Sequence, residues 1–73
     1  MATFEERLAA LRTAAGVSQQ TIGDMLGVTR WSVHNYEAGQ NRPDYNGLLA
    51  LADYFDVSLD YLVGRSDHRE VIR

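Results

Sequence analysis

The sequence contains no cysteine and no lysine, and only two histidines and one proline among its 73 residues. Without cysteine the chain can form neither a disulfide framework nor a thiolate metal site, and two isolated histidines do not predict a zinc site. The missing cysteines fit a reducing compartment. A chain this short buries only a modest core, so its stability must come from helical packing or oligomerisation. We expect one domain without a metal or an organic cofactor.

Long apolar runs are also absent, and the longest falls far below the ~20 residues that a bilayer-spanning helix needs. The first twelve residues, MATFEERLAALR, include two early glutamates and lack the apolar core of a secretion signal. The sequence therefore predicts a cytoplasmic protein with no membrane partner.

The net charge is −3, and all seven basic residues are arginine. A domain that holds nucleic acid by bulk charge should be basic, so this balance counts against a nucleic-acid role. The charge is unevenly distributed, however. Residues 1–43 contain four acids and four arginines, whereas residues 44–73 contain six acids and three arginines. The first part of the chain can still present a locally positive surface.

Helix boundary signals recur along the chain, and no segment alternates with the period of a strand. Five residues that commonly cap helix N-termini precede the helical patterns: Thr3, Ser18, Thr29, Asp44 and Ser58. Thr3 also forms a capping-box pair with Glu6. Glycines are expected to end four of the helices: Gly16, Gly27, Gly39 and Gly64. These signals predict a compact all-α domain of five short helices over residues 1–64, followed by a charged tail over residues 65–73 that tends to fray.

Apolar residues at helical spacing indicate which helix faces form the core. The first helix presents Phe4, Leu8, Leu11 and Ala15. The second presents Ile22, Leu26 and Met25, of which Met25 is expected to fill a gap. The fourth presents Leu48, Leu49, Leu51, Ala52 and Phe55, and the last carries Leu59, Leu62 and Val63.

The junction between the second and third helices is the most informative feature. Between Gln19 and Tyr36 the chain predicts a helix of about eight residues, a turn at Gly27 and another helix, a spacing that lets two helices cross steeply. Gly23 allows close approach of the helices, and Gly27 allows the positive φ of the turn. The residues expected to fill the angle are Ile22, Val28 and Val33. The outer face of the third helix then comprises Arg30, Trp31, Ser32, His34 and Asn35.

Residues 4–64 resemble the phage-repressor type of helix-turn-helix domain, the Cro/cI or XRE-like family. The motifs that carry the resemblance are VSQQTIGDMLGVTRWSVHNYEAGQNRP and LLALADYFDVSLDYLVG. The resemblance implies a lambda-repressor-like DNA-binding domain of five helices, whose third helix lies in the major groove. Two features depart from the family pattern. Thr21 stands where members often have glutamate, and the DNA-facing surface has fewer basic residues than is usual.

The resemblance also implies roles for individual residues. The base-reading positions are Arg30, Trp31 and Asn35. The positions that contact the DNA backbone or flanking groups are Gln19, Ser32, His34, Asn41 and Arg42, with His34 equally open to being a solvated residue. Arg12 and Glu37 match a structural ion pair. Chemically, Arg30 could bond guanine and Asn35 could bond adenine, whereas Trp31 could rest on a thymine methyl or on the sugar-phosphate wall.

Two functions from different classes follow. The first is a sequence-specific transcriptional regulator, a repressor, that binds a near-palindromic operator in double-stranded DNA as a homodimer, with half-sites about one helical turn apart. Dimer contacts are expected in the last helix, at Tyr61, Leu62 and Val63, and in the tail. The second is an antitoxin-like or adaptor module that binds a protein partner, favoured by the acidic balance, the absence of lysine and the position of Trp31.

An enzymatic function has little support. The chain has no recognisable set of nucleophile, base and orienting residue, and it has no glycine-rich phosphate loop. Its carboxylates on the last two helices, Asp53, Asp56 and Asp60, are expected to be solvated or to cap helices.

Overall fold

The computed structural model describes residues 2–71, and within this range the chain forms five α-helices and no β-strand. The helices are α1 (Phe4–Ala15), α2 (Gln19–Leu26), α3 (Arg30–Glu37), α4 (Tyr45–Phe55) and α5 (Leu59–Leu62). The predicted all-α architecture is therefore confirmed.

Each helix begins after the polar residue that the sequence indicated. The side chains of these five residues each accept a hydrogen bond from a backbone N–H in the first turn: Thr3, Ser18, Thr29, Asp44 and Ser58. Such bonds satisfy donors that have no partner within the helix. Glu6 completes the capping box, because its carboxylate accepts a hydrogen bond from the Thr3 backbone N–H over 2.9 Å. That bond and a second one from the Thr3 hydroxyl lower the pKa of Glu6.

One hydrophobic core joins all five helices. Its ten buried side chains are Phe4, Leu8, Leu11, Ile22, Val33, Tyr36, Leu51, Ala52, Val57 and Leu62. Leu48 and Phe55 pack against this cluster while remaining partly exposed. The helical periodicity of the sequence thus identified most of the core.

Four expected core positions lie outside this cluster and outside the partly exposed side chains packed against it: Ala15, Met25, Leu49 and Val63, the last of which is partly exposed. Ala15 is exposed because it occupies the last turn of α1, immediately before the chain turns away at Gly16. Met25 is 36% exposed, so the expectation that it fills an internal gap is wrong. Leu49 is partly exposed and separate from the core cluster. Its neighbours along α4, Leu51 and Ala52, are buried instead.

The C-terminal segment, residues 65–71, is attached to α1 through a buried arginine. Arg7 is only 9% exposed. Its guanidinium donates hydrogen bonds to the backbone carbonyls of Tyr61 and Ser66 over 2.8 and 3.0 Å, and to the Asp67 carboxylate over 2.8 Å. Its central carbon also lies 3.8 Å from the centroid of the Tyr61 ring.

A second attachment joins this segment to the start of α5. The backbone N–H of Ser58 donates to the carbonyl of Arg69 over 2.8 Å, and the Ser58 hydroxyl donates to the carbonyl of His68 over 2.9 Å. Residues 66–69 are therefore hydrogen-bonded to the helices rather than frayed. The last two residues of the predicted tail, Ile72 and Arg73, lie outside the described residues.

The proposed dimer contacts in α5 need one correction. Leu62 is fully buried in the core and cannot contact a second chain. Tyr61 and Val63 are partly exposed. The reason is the short length of α5, whose four residues must direct one side chain inwards to join the helix to the core.

Candidate nucleic-acid interface

Two glycines set the arrangement of α2 and α3, as the sequence predicted. A β-carbon added at Gly23 would lie 2.9 Å from the backbone carbonyl oxygen of Val28, so α2 meets the following turn at backbone distance. Gly27 has a φ of 74°, a left-handed conformation that glycine adopts without steric penalty. The Val28 N–H then donates to the Gly23 carbonyl over 2.9 Å. These contacts hold α3 at a defined angle to α2.

The third helix has one buried face and one exposed face. Val33 and Tyr36 point into the core, at 0% and 7% exposure. Trp31 is 61% exposed, which confirms the helical phase inferred from the sequence. Arg30 and His34 are exposed as well, whereas Ser32 and Asn35 are partly buried at the edges of this face. The helix thus presents a polar surface with an aromatic side chain at its centre.

The Trp31 indole contacts two neighbours on this surface. The His34 ring lies edge-on to it, with 5.9 Å between the ring centroids. The guanidinium carbon of Arg30 lies 5.2 Å from the indole centroid. These cation–π and edge contacts each contribute modestly at an exposed site. Together they restrain three side chains that the sequence analysis placed on the DNA-facing surface.

Ser32 participates in the start of α3. Its backbone N–H donates to the Thr29 hydroxyl oxygen over 3.2 Å, and the two hydroxyl oxygens lie 3.3 Å apart. The hydroxyl of Ser32 is therefore already close to a partner within the protein.

Arg12 and Glu37, the expected structural ion pair, form a two-point contact between α1 and the end of α3. The Arg12 Nε atom lies 2.6 Å from Glu37 Oε2, and Nη2 lies 3.0 Å from Oε1. Arg12 Nη1 also donates to the carbonyl of Val17 over 3.0 Å. The hydrogen bond with Glu37 raises the pKa of Arg12. The contact neutralises a carboxylate at a helix C-terminus, where the helix dipole disfavours negative charge.

Gln19 joins this ion pair. Its side-chain amide donates to Glu37 Oε1 over 3.2 Å, a contact that the sequence analysis did not anticipate. One amide N–H of Gln19 then remains for any other acceptor. Only the tertiary structure places the first residue of α2 beside the last residue of α3, so no local sequence signal could have predicted this bond.

The loop between α3 and α4 contains the other predicted contacts. Asn41 and Arg42 are exposed, and the Arg42 backbone N–H donates to the Asn41 side chain over 3.2 Å. The Arg42 Nη2 atom lies 3.6 Å from Oε2 of Glu5, a residue of α1 that the sequence analysis did not select. Acidic residues are common in the first turn of a helix, so Glu5 carried no functional signal in the sequence. At the end of the loop, the Asp44 carboxylate accepts a hydrogen bond from the Gly47 N–H over 2.8 Å.

Between residues 2 and 71, no three metal-ligating side chains are grouped closely enough to hold a metal ion. Over the same described range, the helices are too short or too polar for any of them to cross a bilayer.

Comparison with known proteins supplies the context of this interface. The HTH-type transcriptional regulator YqaE of Bacillus subtilis is 37% identical over 70 residues, covering 96% of this chain and 60% of the relative. The SPbeta prophage-derived regulator YonR of the same organism is 43% identical over 60 residues, covering 82% of this chain and 56% of the relative. Both names describe transcriptional regulators, which are not an enzymatic class. The chain thus spans less than two thirds of these relatives.

A solved structure of the P22 c2 repressor in complex with a synthetic operator superposes with a TM-score of 0.82 at 29% identity, covering 90% of this chain and 100% of that chain. The family model described as Helix-turn-helix matches residues 8–62, well over half of the sequence. The protein therefore belongs to the helix-turn-helix family, in its phage-repressor or XRE-like branch.

Proposed function

We propose that the protein is a sequence-specific DNA-binding transcriptional regulator, a repressor, whose α3 lies in the major groove. The observation that carries this proposal is the exposed face of α3 around Trp31, backed by the buried side chains of Val33 and Tyr36. The similarity to the P22 c2 repressor, which is described in complex with a synthetic operator, supports it. Because DNA is the proposed partner, we also propose a cytoplasmic location.

Base reading is assigned to Arg30, Trp31 and Asn35. Arg30 is exposed at the first position of α3, where a guanidinium can bond the O6 and N7 acceptors of guanine. Asn35 lies about one helical turn beyond Trp31, and its side-chain amide can bond the N6 and N7 groups of adenine. The indole of Trp31 has a single N–H donor and cannot form a bidentate pair with a base. Its role is apolar contact with a thymine methyl or with the sugar-phosphate wall.

Contacts to the DNA backbone are assigned to residues that flank this face. Gln19 lies at the N-terminus of α2, where the positive end of the helix dipole favours a phosphate. The other assigned residues are Ser32, His34, Asn41 and Arg42. Arg42 is the strongest candidate among them, because its side chain is 66% exposed and carries a full positive charge.

A homodimer on a near-palindromic operator is the proposed assembly, because one module of this size buries too little surface for tight specific binding. The half-sites should lie about one helical turn apart. Tyr61 and Val63 remain candidates for the dimer contact, whereas Leu62 is excluded by its burial.

Selection from a pool of randomised DNA duplexes tests this function directly. We expect a near-palindromic site with half-sites about 10 base pairs apart. The variant Arg30→Gln should lose about tenfold or more in affinity for that site, because a bidentate arginine–guanine contact provides about 1–3 kcal/mol of discrimination. Arg65→Gln is the control, since it makes the same charge change at an exposed residue that follows α5 in the chain. Recovery of no preferred sequence would contradict the proposal.

The alternative function is a protein-interaction module of the antitoxin-like or adaptor kind. The observations that favour it are the net charge of −3 and the 61% exposure of Trp31, which a protein partner would also bury. A salt titration separates the two functions. Binding to DNA should weaken steeply as the salt concentration rises, with a slope set by the number of neutralised phosphates. Negligible DNA binding at low salt, together with a co-purifying protein partner, would favour the alternative.

A further inference from the structure

The loop between α3 and α4 has an unusual charge arrangement for a segment that grips phosphate. Arg42 is the only cationic residue between positions 38 and 44. Two carboxylates flank it, Asp44 at the end of the loop and Glu5 from the first turn of α1. Because Asp44 is engaged in capping α4, Glu5 is the acid that faces the Arg42 guanidinium.

Glu5 is the more buried member of this pair and Arg42 the more exposed one. The side chain of Glu5 is 25% exposed, and its Oε2 atom is buried without a hydrogen bond from any residue in the range 2–71. A β-carbon added at Gly39 would lie 3.6 Å from the Glu5 carboxyl carbon, so the loop backbone covers this carboxylate. The Arg42 side chain is 66% exposed. A phosphate that binds the Arg42 guanidinium therefore also lies near the largely buried carboxylate of Glu5.

The distance between Arg42 and Glu5 indicates whether Glu5 supports or opposes phosphate binding. Arg42 Nη2 and Glu5 Oε2 are 3.6 Å apart, beyond hydrogen-bonding distance, so Glu5 does not orient the guanidinium for a ligand. The remaining interaction between Glu5 and Arg42 is electrostatic attraction. When Arg42 turns towards a phosphate, the buried Oε2 atom of Glu5 loses the cation that faces it. That loss opposes phosphate binding by Arg42.

We propose that Glu5 competes with DNA phosphate for Arg42 and so limits the sequence-independent part of DNA binding. This inference rests on the proposed DNA-binding function. It gives a role to a carboxylate that lies beneath an exposed arginine. The base-reading face of α3 is not involved, so sequence preference stays the same when Glu5 is neutralised.

The test is a double-mutant cycle with Glu5→Gln, Arg42→Gln and the double variant, measured on the selected operator and on a scrambled duplex at several salt concentrations. Asp53→Asn is the matched control, because it makes the same charge change at an exposed residue of α4. Thermal unfolding checks that every variant is folded.

We expect Glu5→Gln to tighten binding to both duplexes by about threefold, in the range of a partly exposed ion pair, and to steepen the salt dependence. Asp53→Asn should leave both affinities unchanged. In the Arg42→Gln background the effect of Glu5→Gln should disappear.

Three outcomes would overturn the inference. Weaker binding by Glu5→Gln would mean that Glu5 holds Arg42 in place for DNA. An effect that persists without Arg42 would mean that Glu5 repels DNA directly. An unchanged affinity in Glu5→Gln, with the wild type binding normally, would remove the competition altogether. If the wild type binds neither duplex at low salt, the proposed function itself fails, and this inference fails with it.

Discussion

The ion pair between Arg12 and Glu37 offers the most quantitative prediction for the fold. Glu37 accepts three hydrogen bonds, from Arg12 Nε at 2.6 Å, from Arg12 Nη2 at 3.0 Å and from Gln19 Nε2 at 3.2 Å. The side chains of the pair are 20% and 10% exposed, so both charges are largely removed from water. Replacing Glu37 with leucine leaves the Arg12 guanidinium largely buried without a counterion, and replacing Arg12 with methionine does the same to the Glu37 carboxylate.

Each single substitution should lower the free energy of unfolding by about 3 kcal/mol. Breaking a buried pair costs ~3–5 kcal/mol, and the 20% exposure of Arg12 favours the lower end because water can partly solvate the stranded guanidinium. A domain of this size has a total stability of about 4–11 kcal/mol, so a large share would be lost. The double variant, Arg12→Met with Glu37→Leu, should cost about as much as one single substitution, because neither charge is then left unpaired.

Urea unfolding followed by circular dichroism measures these values for the wild type, the two single variants and the double variant. The expected coupling free energy is about 2–3 kcal/mol. Single variants that each lose less than about 1 kcal/mol, or a double variant that loses the sum of the two, would refute the reasoning. In that case the contact between α1 and α3 would rest on apolar packing alone.

Three further predictions follow from the same structure. Trp31→Ala should leave the unfolding free energy within about 0.5 kcal/mol of the wild type while weakening operator binding about tenfold; a large loss of stability would show that the indole supports the fold. Arg7→Met should cost about 2–3 kcal/mol and remove hydrogen-exchange protection from residues 66–69, whereas the exposed Arg69→Met should change stability little. Glu6 has a lowered pKa, so its contribution to stability is present above the unfolded-state pKa and is lost as the pH falls through the folded value; an NMR titration should find the pKa of Glu6 below that of glutamate in an unfolded peptide.

The helices could be predicted from the sequence because their signals are local. A capping side chain bonds an N–H within the next turn, and a glycine after a helix adopts a backbone angle that other residues disfavour. All five predicted caps, including Thr3 and Ser58, accept such bonds. The phase of α3 was equally accessible, since Val33 and Tyr36 lie one turn apart and assign Trp31 to the opposite side.

The errors occurred where burial depends on neighbouring elements. Leu62 and Ala15 both lie on apolar stripes, yet the first is fully buried and the second is exposed. Periodicity identifies a face of a helix, but it does not say how far along the helix the core extends. Similarly, no local pattern in the tail indicated that Arg7 would bind the Ser66 carbonyl and the Asp67 carboxylate.

The sequence by itself determined five helices, their caps, the close turn between α2 and α3, and the exposed position of Trp31, because each depends on residues within a few positions of one another. Tertiary structure decided which charges meet. The bonds of Gln19 to Glu37 and the approach of Arg42 to Glu5 join residues from different helices and loops. Such contacts depend on how whole elements pack, so the balance of charge around the loop between α3 and α4 became visible only in three dimensions.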